Sequence, residues 1–142
     1  MCNNNSNNDN TACENCVADI LKVIYILQQS ICPNDNCLET CDRAFLGQGS
    51  ASFFNTRPVV LYTCQGNGTP WTMPTTRTET GPTSSIFRIE KLDGCCATFR
   101  VLTPTTDPDS TNPYTATNSF FTMNLNCVCA LRCLDDTFVE GL

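Results

Sequence analysis

The sequence predicts a mainly β (α+β) domain, in which one N-terminal amphipathic helix packs on an antiparallel or β-sandwich-like sheet body. A single run of helical periodicity lies near the start of the chain. From residue 45 onward, short β-branched and aromatic segments alternate with turn residues. The length of 142 residues suits one ordinary domain. We therefore expect a polar, Asn-rich arm over residues 1–12 and a single cysteine-rich domain over residues 13–142.

The helix is predicted over residues 13–29. Thr11 and Glu14 fit the capping-box pattern, in which the first side chain accepts from an amide three residues on and the second reaches back. Pro33 follows in a segment of turn composition, so the helix should end near Gln29. The apolar residues that form its stripe at helical spacing are Val17, Ile20, Leu21, Ile24 and Leu27.

The β-rich part is predicted between residues 45 and 134. Its first strand is expected over residues 57–63, where Pro58 favours a strand start or a sheet edge. Thr- and Pro-rich stretches over residues 69–83 and 103–113 are predicted to be irregular. The remaining strands are expected over residues 85–92, 95–102, 114–123 and 125–134.

Asp93-Gly94 is the strongest hairpin signal in the chain. With these two residues as the loop, Lys91 would lie opposite Cys96. Successive side chains of a strand point to opposite faces of the sheet. Only one of Cys95 and Cys96 can therefore face the core, and the other would face solvent or a neighbouring molecule.

Cysteine is far more abundant than usual, with 12 residues. A chain of this size can build a core without covalent staples, so a small core does not account for them. Many cysteines favour an oxidising compartment. However, no basic residue precedes Lys22, so the charged region of a signal peptide is missing. The thiols are therefore expected either to bind a metal or to be oxidised late, after the cytosol has gone.

Three cysteines near the end of the chain, Cys127, Cys129 and Cys133, share one face if residues 125–134 form a strand. Neighbours two residues apart lie about 6.6 Å from each other, and their side chains run parallel, which is the outer limit of disulfide reach. Cys127 and Cys129 therefore need separate partners. The candidates are cysteines of another chain or, within the same chain, Cys32, Cys37 and Cys41.

Composition excludes several functions. Acidic residues outnumber basic residues 14 to 8, which argues against binding to nucleic acid and to anionic membranes. The absence of histidine from the sequence excludes histidine-based catalysis and histidine metal ligation. No run approaches the roughly 20 apolar residues that a membrane-spanning helix needs. We therefore expect neither an enzyme nor a membrane protein.

Two chemical alternatives involve the thiols. Cys13-Glu-Asn-Cys16 has the spacing of a thioredoxin-type dithiol, but an Asn-rich arm precedes it where that site needs a buried strand. A zinc or iron–sulfur site could use this pair with Cys37 and Cys41, or could use the Cys127 and Cys129 group, although the spacings fit no standard finger or ribbon. The remaining interpretation is a structural subunit that packs and is then locked by disulfides.

Five segments carry a family resemblance: residues 45–47, 55–63, 86–90, 96–102 and 125–134. In this order they resemble the cysteine-rich spore coat and exosporium proteins of the CotY, CotZ and ExsY type, and residues 16–20 resemble the start of those proteins. The Asn55-Thr56-Arg57-Pro58 stretch and the Cys127-x-Cys129-x-x-x-Cys133 end are specific in combination. The similarity runs from about Cys13 to Asp135.

The resemblance implies a non-enzymatic subunit of the bacterial spore coat or exosporium. Such proteins self-assemble into a two-dimensional, often hexagonal lattice, which inter-subunit disulfides then cross-link. The implied partners are copies of the chain itself, as a hexamer that extends into a lattice, and other coat proteins. The resemblance also implies synthesis in the mother-cell cytoplasm without a signal peptide, oxidation after that cell lyses, and no cofactor. The alternative function is a thiolate zinc-binding protein.

The resemblance leaves open which thiols cross-link in this chain, and we expect the cysteines to divide into two sets. The candidates for inter-subunit disulfides are Cys2, Cys13, Cys16, Cys95 and Cys96. The group at the end of the chain is expected to pair mainly with the group after the helix, which makes the intra-subunit candidates Cys32, Cys37, Cys41, Cys127, Cys129 and Cys133.

Overall fold

The computed structural model describes residues 15–29 and 54–142. Within these residues the protein is mainly β, with antiparallel sheets and one α-helix, as the sequence predicts. The predicted polar arm over residues 1–12 lies outside the described residues. The helix and strands are α1 (Cys16–Gln29), β1 (Val59–Thr63), β2 (Met73–Pro74), β3 (Thr83–Ser84), β4 (Ile86–Asp93), β5 (Cys96–Pro104), β6 (Tyr114–Asn124) and β7 (Val128–Cys133).

Helix α1 starts later than the sequence predicts. Asn15 is its N-cap, because the Asn15 Oδ1 accepts a hydrogen bond of 2.6 Å from the backbone N of Ala18. The helix therefore begins at Cys16 and not at residue 13, while its end at Gln29 agrees with the prediction. The predicted capping box of Thr11 and Glu14 lies outside the described residues.

One face of α1 packs on the sheet. Gln28, at the helix end, is only 8% exposed and fixes the helix to the sheet. Its Nε2 donates to the Ile89 carbonyl at 2.9 Å, and its Oε1 accepts from the backbone N of Arg57 at 3.2 Å. The buried apolar residues of the helix share one core cluster with strand residues, including Val17, Ala18, Leu21, Ile24, Val59, Leu61, Phe87, Ile89, Phe99 and Val101.

Three aromatic rings form the centre of this cluster. Phe87 and Phe99 are fully buried, and the ring of Phe121 lies against both. The ring centroids of Phe87 and Phe121 are 4.8 Å apart, and those of Phe99 and Phe121 are 5.3 Å apart. These are favourable spacings for aromatic pairs, so three adjacent strands are joined by direct ring contacts.

The main sheet has five antiparallel strands in the order β6-β5-β4-β1-β7. β1, which comes first among the described strands, therefore lies between β4 and β7, which comes last among them. Strands β2 and β3 form a separate two-stranded sheet. The sequence predicts residues 69–83 to be irregular, but this stretch contains β2 and the first residue of β3.

The β4–β5 hairpin exists as predicted, but its register differs. Asp93 pairs with Cys96, so the two loop residues are Gly94 and Cys95. Gly94 has a φ of +57°, which suits the first central position of a type II′ turn. The prediction that Lys91 lies opposite Cys96 is wrong, since Lys91 pairs with Thr98.

A bulge in β4 accounts for the rest of the register change. The register shifts between Ile89 and Lys91, which leaves Glu90 at the irregularity. Glu90 Oε1 lies 2.9 Å from Arg88 Nη1 and 2.9 Å from Arg100 Nε. The bulge thus places one carboxylate between two guanidinium groups on the face opposite the aromatic cluster.

Residues 125–134 are not one continuous strand. Leu125–Cys127 is a 3₁₀ turn, capped by the Asn124 side chain, which accepts from the backbone N of Asn126 at 3.0 Å. The alternation of side chains therefore starts only at Val128. The prediction that Cys127 shares a strand face with Cys129 is wrong for this reason.

Candidate functional site: disulfides and exposed thiols

Cys64 and Cys129 form a disulfide that joins the chain just after β1 to β7. Their Cα atoms are 5.0 Å apart, within the usual range for a disulfide. The strand ladder brings them together, since Thr63 pairs with Val128 and the backbone N of Cys64 donates to the Cys127 carbonyl at 3.3 Å. The two cysteines are 65 residues apart in sequence, so the bond restricts a long stretch of the unfolded chain.

Cys95 and Cys127 each take part in a disulfide as well. Cys95 lies in the β4–β5 turn and packs partly buried against the core cluster. The backbone N of Leu125 donates to the Cys95 carbonyl at 2.8 Å, which holds this turn against the 3₁₀ turn that carries Cys127. The oxidised cysteines of the described chain therefore lie around the 3₁₀ turn at residues 125–127.

Three cysteines of the described chain are free and exposed: Cys16, Cys96 and Cys133. Cys16 is the first residue of α1. Cys96 is the first residue of β5 and pairs with Asn124 of β6. Cys133 is the last residue of β7. The free thiols thus lie on three different elements.

The predicted cysteine sets divide in the structure as follows. Of the inter-subunit candidates, Cys16 and Cys96 are exposed thiols, whereas Cys95 is already disulfide-bonded. Of the intra-subunit candidates, Cys127 and Cys129 are disulfide-bonded, whereas Cys133 is an exposed thiol. The candidates that lie outside the described residues are Cys2, Cys13, Cys32, Cys37 and Cys41.

The sequence alone predicts no role for Cys64. The partner of Cys129 is Cys64 and not a cysteine of the group after the helix, because β7 pairs with β1 and Cys64 follows β1 directly. No local pattern signals this pairing of the first and last strands. The available hint is that Cys64 directly follows the strand predicted over residues 57–63.

The Asn-Thr-Arg-Pro segment, residues 55–58, holds the C-terminal part of the chain. The Asn55 side chain makes two hydrogen bonds to the backbone of Val139, as a neighbouring strand would. Its Nδ2 donates to the Val139 carbonyl at 3.0 Å, and its Oδ1 accepts from the Val139 backbone N at 2.9 Å. Thr56 forms an antiparallel bridge with Thr137. The Pro58 carbonyl accepts from the backbone N of Leu134 at 2.8 Å.

An ion pair completes this contact. Arg57 binds Asp136 through two hydrogen bonds, Nε to Oδ1 at 2.6 Å and Nη2 to Oδ2 at 2.7 Å. The hydrogen bond to Asp136 raises the pKa of the Arg57 guanidinium above its ordinary value. Because the two side chains remain 37% and 29% exposed, solvent weakens the pair. The part-buried hydrogen bonds of Asn55 and the backbone bridge of the buried Thr56 are therefore expected to contribute more.

We expect the substitution Asn55→Ala to lower the free energy of unfolding by about 1–3 kcal/mol, because the backbone polar groups of Val139 lose their partners. Urea unfolding without reductant measures this. The exposed Asn118 supplies a matched control, and Asn118→Ala should change the stability by less than about 0.5 kcal/mol. Equal stability of the Asn55 variant and the wild type would contradict a holding role for this side chain.

Within residues 15–29 and 54–142, no group of three or more His, Cys, Asp or Glu side chains could hold a metal ion. Cys127 and Cys129, which are candidate zinc or iron–sulfur ligands from their spacing, are both disulfide-bonded. In the same part of the chain, no helix has the length and apolar character needed to span a bilayer.

Comparison with known families gives one match. The family model described as Spore coat protein Z matches residues 2–136. The chain belongs to this spore coat family. The match confirms the resemblance inferred from the sequence, and it indicates a structural role at the spore surface. Searches of curated proteins and of solved structures gave no match to this coat protein.

The matched range bears on the site directly. Residues 2–136 of this coat protein include all 12 of its cysteines. They also include the Asn-Thr-Arg-Pro segment and Asp136, the ion-pair partner of Arg57. Both the thiols and the contact that joins residues 55–58 to the C-terminal part therefore lie within the part of the chain that the family model covers.

Proposed function

We propose that this coat protein is a structural subunit that assembles with copies of itself and is then cross-linked by disulfides between copies. The observation that supports the proposal is the division of the described cysteines into two classes. Four are disulfide-bonded and lie around the 3₁₀ turn at residues 125–127, whereas Cys16, Cys96 and Cys133 are exposed thiols. The first class stabilises the subunit, and the second is available to other molecules.

The number of exposed thiols matters for the kind of assembly. One link per subunit gives dimers, and two give chains or rings. Three links per subunit are the smallest number that can join copies into a net. Exposed thiols on α1, β5 and β7 therefore suit the two-dimensional, hexagonal lattice that we propose for the coat or the exosporium.

The chemistry of the link needs an oxidant. A thiolate of one copy attacks a low-molecular-weight disulfide and releases one small thiol. A thiolate of the neighbouring copy then attacks the mixed disulfide, forms the S–S bond between copies and releases the second small thiol. Two protein thiols are oxidised and one small disulfide is reduced. Packing in a reducing mother cell followed by later oxidation would produce this order of events.

The test compares wild-type protein with the triple variant Cys16→Ser, Cys96→Ser, Cys133→Ser after incubation with glutathione disulfide. On gels without reductant, the wild type should run as a ladder or as unresolved high-mass species, which collapse with reductant to a band at 15.6 kDa. The triple variant should show far less cross-linked material. Restoring each cysteine singly to the triple variant ranks the three positions by the amount of cross-linked material that each one produces.

The matched control removes the disulfide between Cys64 and Cys129, which lies within the subunit. The double variant Cys64→Ser, Cys129→Ser keeps all three exposed thiols and should cross-link like the wild type. A wild type that stays a single band under oxidising conditions would count against the proposal. So would a triple variant that cross-links to the same extent as the wild type.

A further inference from the structure

Strand β6 is a long, uncharged sheet edge. It has 11 residues, Tyr114–Asn124, and contains no Asp, Glu, Lys, Arg or Pro. It is the terminal strand of the sheet order β6-β5-β4-β1-β7. Natural proteins usually protect such an edge with a charge, a proline or a covering segment, because its unpaired backbone groups bind other strands.

Only the first part of this edge is covered in the described chain. Thr115 forms a parallel bridge with Glu140, and the backbone N of Ala116 donates to the Glu140 carbonyl at 3.1 Å. The edge therefore does accept an added strand. Over residues 120–124, no described segment other than β5 pairs with β6.

The open part of the edge has side chains that suit pairing. Phe120, Thr122 and Asn124 are exposed on one face, while Met123 is buried on the other. The guanidinium of Arg100 lies 4.4 Å from the centroid of the Phe120 ring. An open groove of about 690 Å³ lies between the β2–β3 loop and residues 118–120, so space is available beside the start of this segment.

We infer that two copies of this chain pair through residues 120–124 of β6, antiparallel about a two-fold axis, so that their sheets become continuous. A two-fold contact places the same segment opposite itself, so any charge in it would meet an equal charge of the same sign. β6 avoids this penalty because it carries no charge, although the chain has a net charge of −6. A second copy is therefore the occupant that this edge fits.

This inference deepens the proposed function, since it names the surface through which copies make contact before they are cross-linked. A pairing of five residues is small compared with the roughly 800 Å² per partner of a stable interface. The contact is therefore expected to be reversible. Reversible contacts allow misplaced copies to leave before the exposed thiols fix the arrangement.

The test uses the triple variant Cys16→Ser, Cys96→Ser, Cys133→Ser as a background, without reductant, so that the disulfides within the chain stay intact. Sedimentation velocity over a concentration series measures self-association. We expect the added substitution Thr122→Lys to weaken self-association by at least tenfold, because two like charges then meet across the two-fold axis. Thr122→Glu should have the same effect.

Mixing the two variants separates an interface effect from a folding defect. Thr122→Lys and Thr122→Glu should recover association when combined, since opposite charges then face each other. The matched control is Thr98→Lys, which removes the same 3.1 Å contact between the two threonine hydroxyls but lies one strand inside the edge. It should associate like the background protein.

The inference would be overturned by a background protein that does not self-associate, or by a Thr122→Lys variant that associates as well as the background. Equal weakening by Thr98→Lys would also overturn it, because the sheet face and not the edge would then be responsible. Absence of recovery in the mixture would overturn it as well. Cross-linking of wild-type protein by glutathione disulfide is scored separately on gels, so failure of the proposed function has a different signature.

Discussion

Replacing Phe99 by alanine should lower the free energy of unfolding by about 3–5 kcal/mol. The ring is fully buried and contacts the rings of Phe87 and Phe121, which lie on the two neighbouring strands. Its removal leaves a cavity between α1 and the sheet, where the surrounding strands cannot collapse freely. Urea unfolding of the non-reduced protein, followed by far-ultraviolet circular dichroism, measures the change.

Phe120→Ala is the matched control for this experiment. Phe120 is 46% exposed, and its ring contacts the guanidinium of Arg100. Its removal should cost about 1 kcal/mol or less, which is the usual value of an exposed cation–π contact. If both variants lost the same stability, the aromatic cluster would not be the centre of the core.

Removing the disulfide between Cys64 and Cys129 should have a comparable effect. For a loop of 65 residues, the chain-entropy model gives a stabilisation of about 4 kcal/mol. The double variant Cys64→Ser, Cys129→Ser should therefore unfold at a clearly lower urea concentration than the wild type. Measured losses for native disulfides are typically about 2–5 kcal/mol.

The control for the disulfide is Cys96→Ser. Cys96 is an exposed free thiol, so its replacement should change the stability by less than about 0.5 kcal/mol. Reduction of the wild type should lower its stability at least as far as the double substitution does. A double variant as stable as the wild type would mean that the bond between Cys64 and Cys129 does not restrict the unfolded chain.

Local features of the fold could be predicted from the sequence, because they depend on neighbouring residues. The spacing of Val17, Leu21 and Ile24 predicts the helix and part of its buried face, and Asp93-Gly94 predicts the hairpin between β4 and β5. Ile20, which the prediction placed in the same apolar stripe, is 48% exposed. The errors are also local. Both Thr11 and Asn15 are acceptable helix caps, and the prediction used the first, whereas the structure uses Asn15.

The register of the hairpin could not be predicted for a related reason. Gly94 can occupy either central position of a two-residue turn, and the structure has it in the first. The bulge at Glu90 then depends on Arg88 and Arg100, which bind its carboxylate from two strands. No pattern within a single strand reveals an interaction that spans two of them.

The disulfide partners at the candidate site also depend on contacts between strands that are distant in sequence. The abundance of cysteine predicts disulfides. Cys95 and Cys96 do have different environments, but Cys95 lies in the turn, so strand alternation is not the reason. The partner of Cys129 could not be predicted, because it depends on the pairing of β1 with β7. The role of residues 55–58 has the same origin, since their partners lie about 80 positions further along the chain.

The position of β1 between β4 and β7 has a consequence for the timing of folding during translation. A nascent chain that has emerged from the ribosome only as far as β6 has no partner for one side of β1. Asn55 also finds its partner only when Val139 has left the exit tunnel. Contacts between such distant parts of a chain form slowly, because a long loop must close first. Completion of the sheet around β1 therefore waits until β7 and the residues up to Val139 have left the exit tunnel.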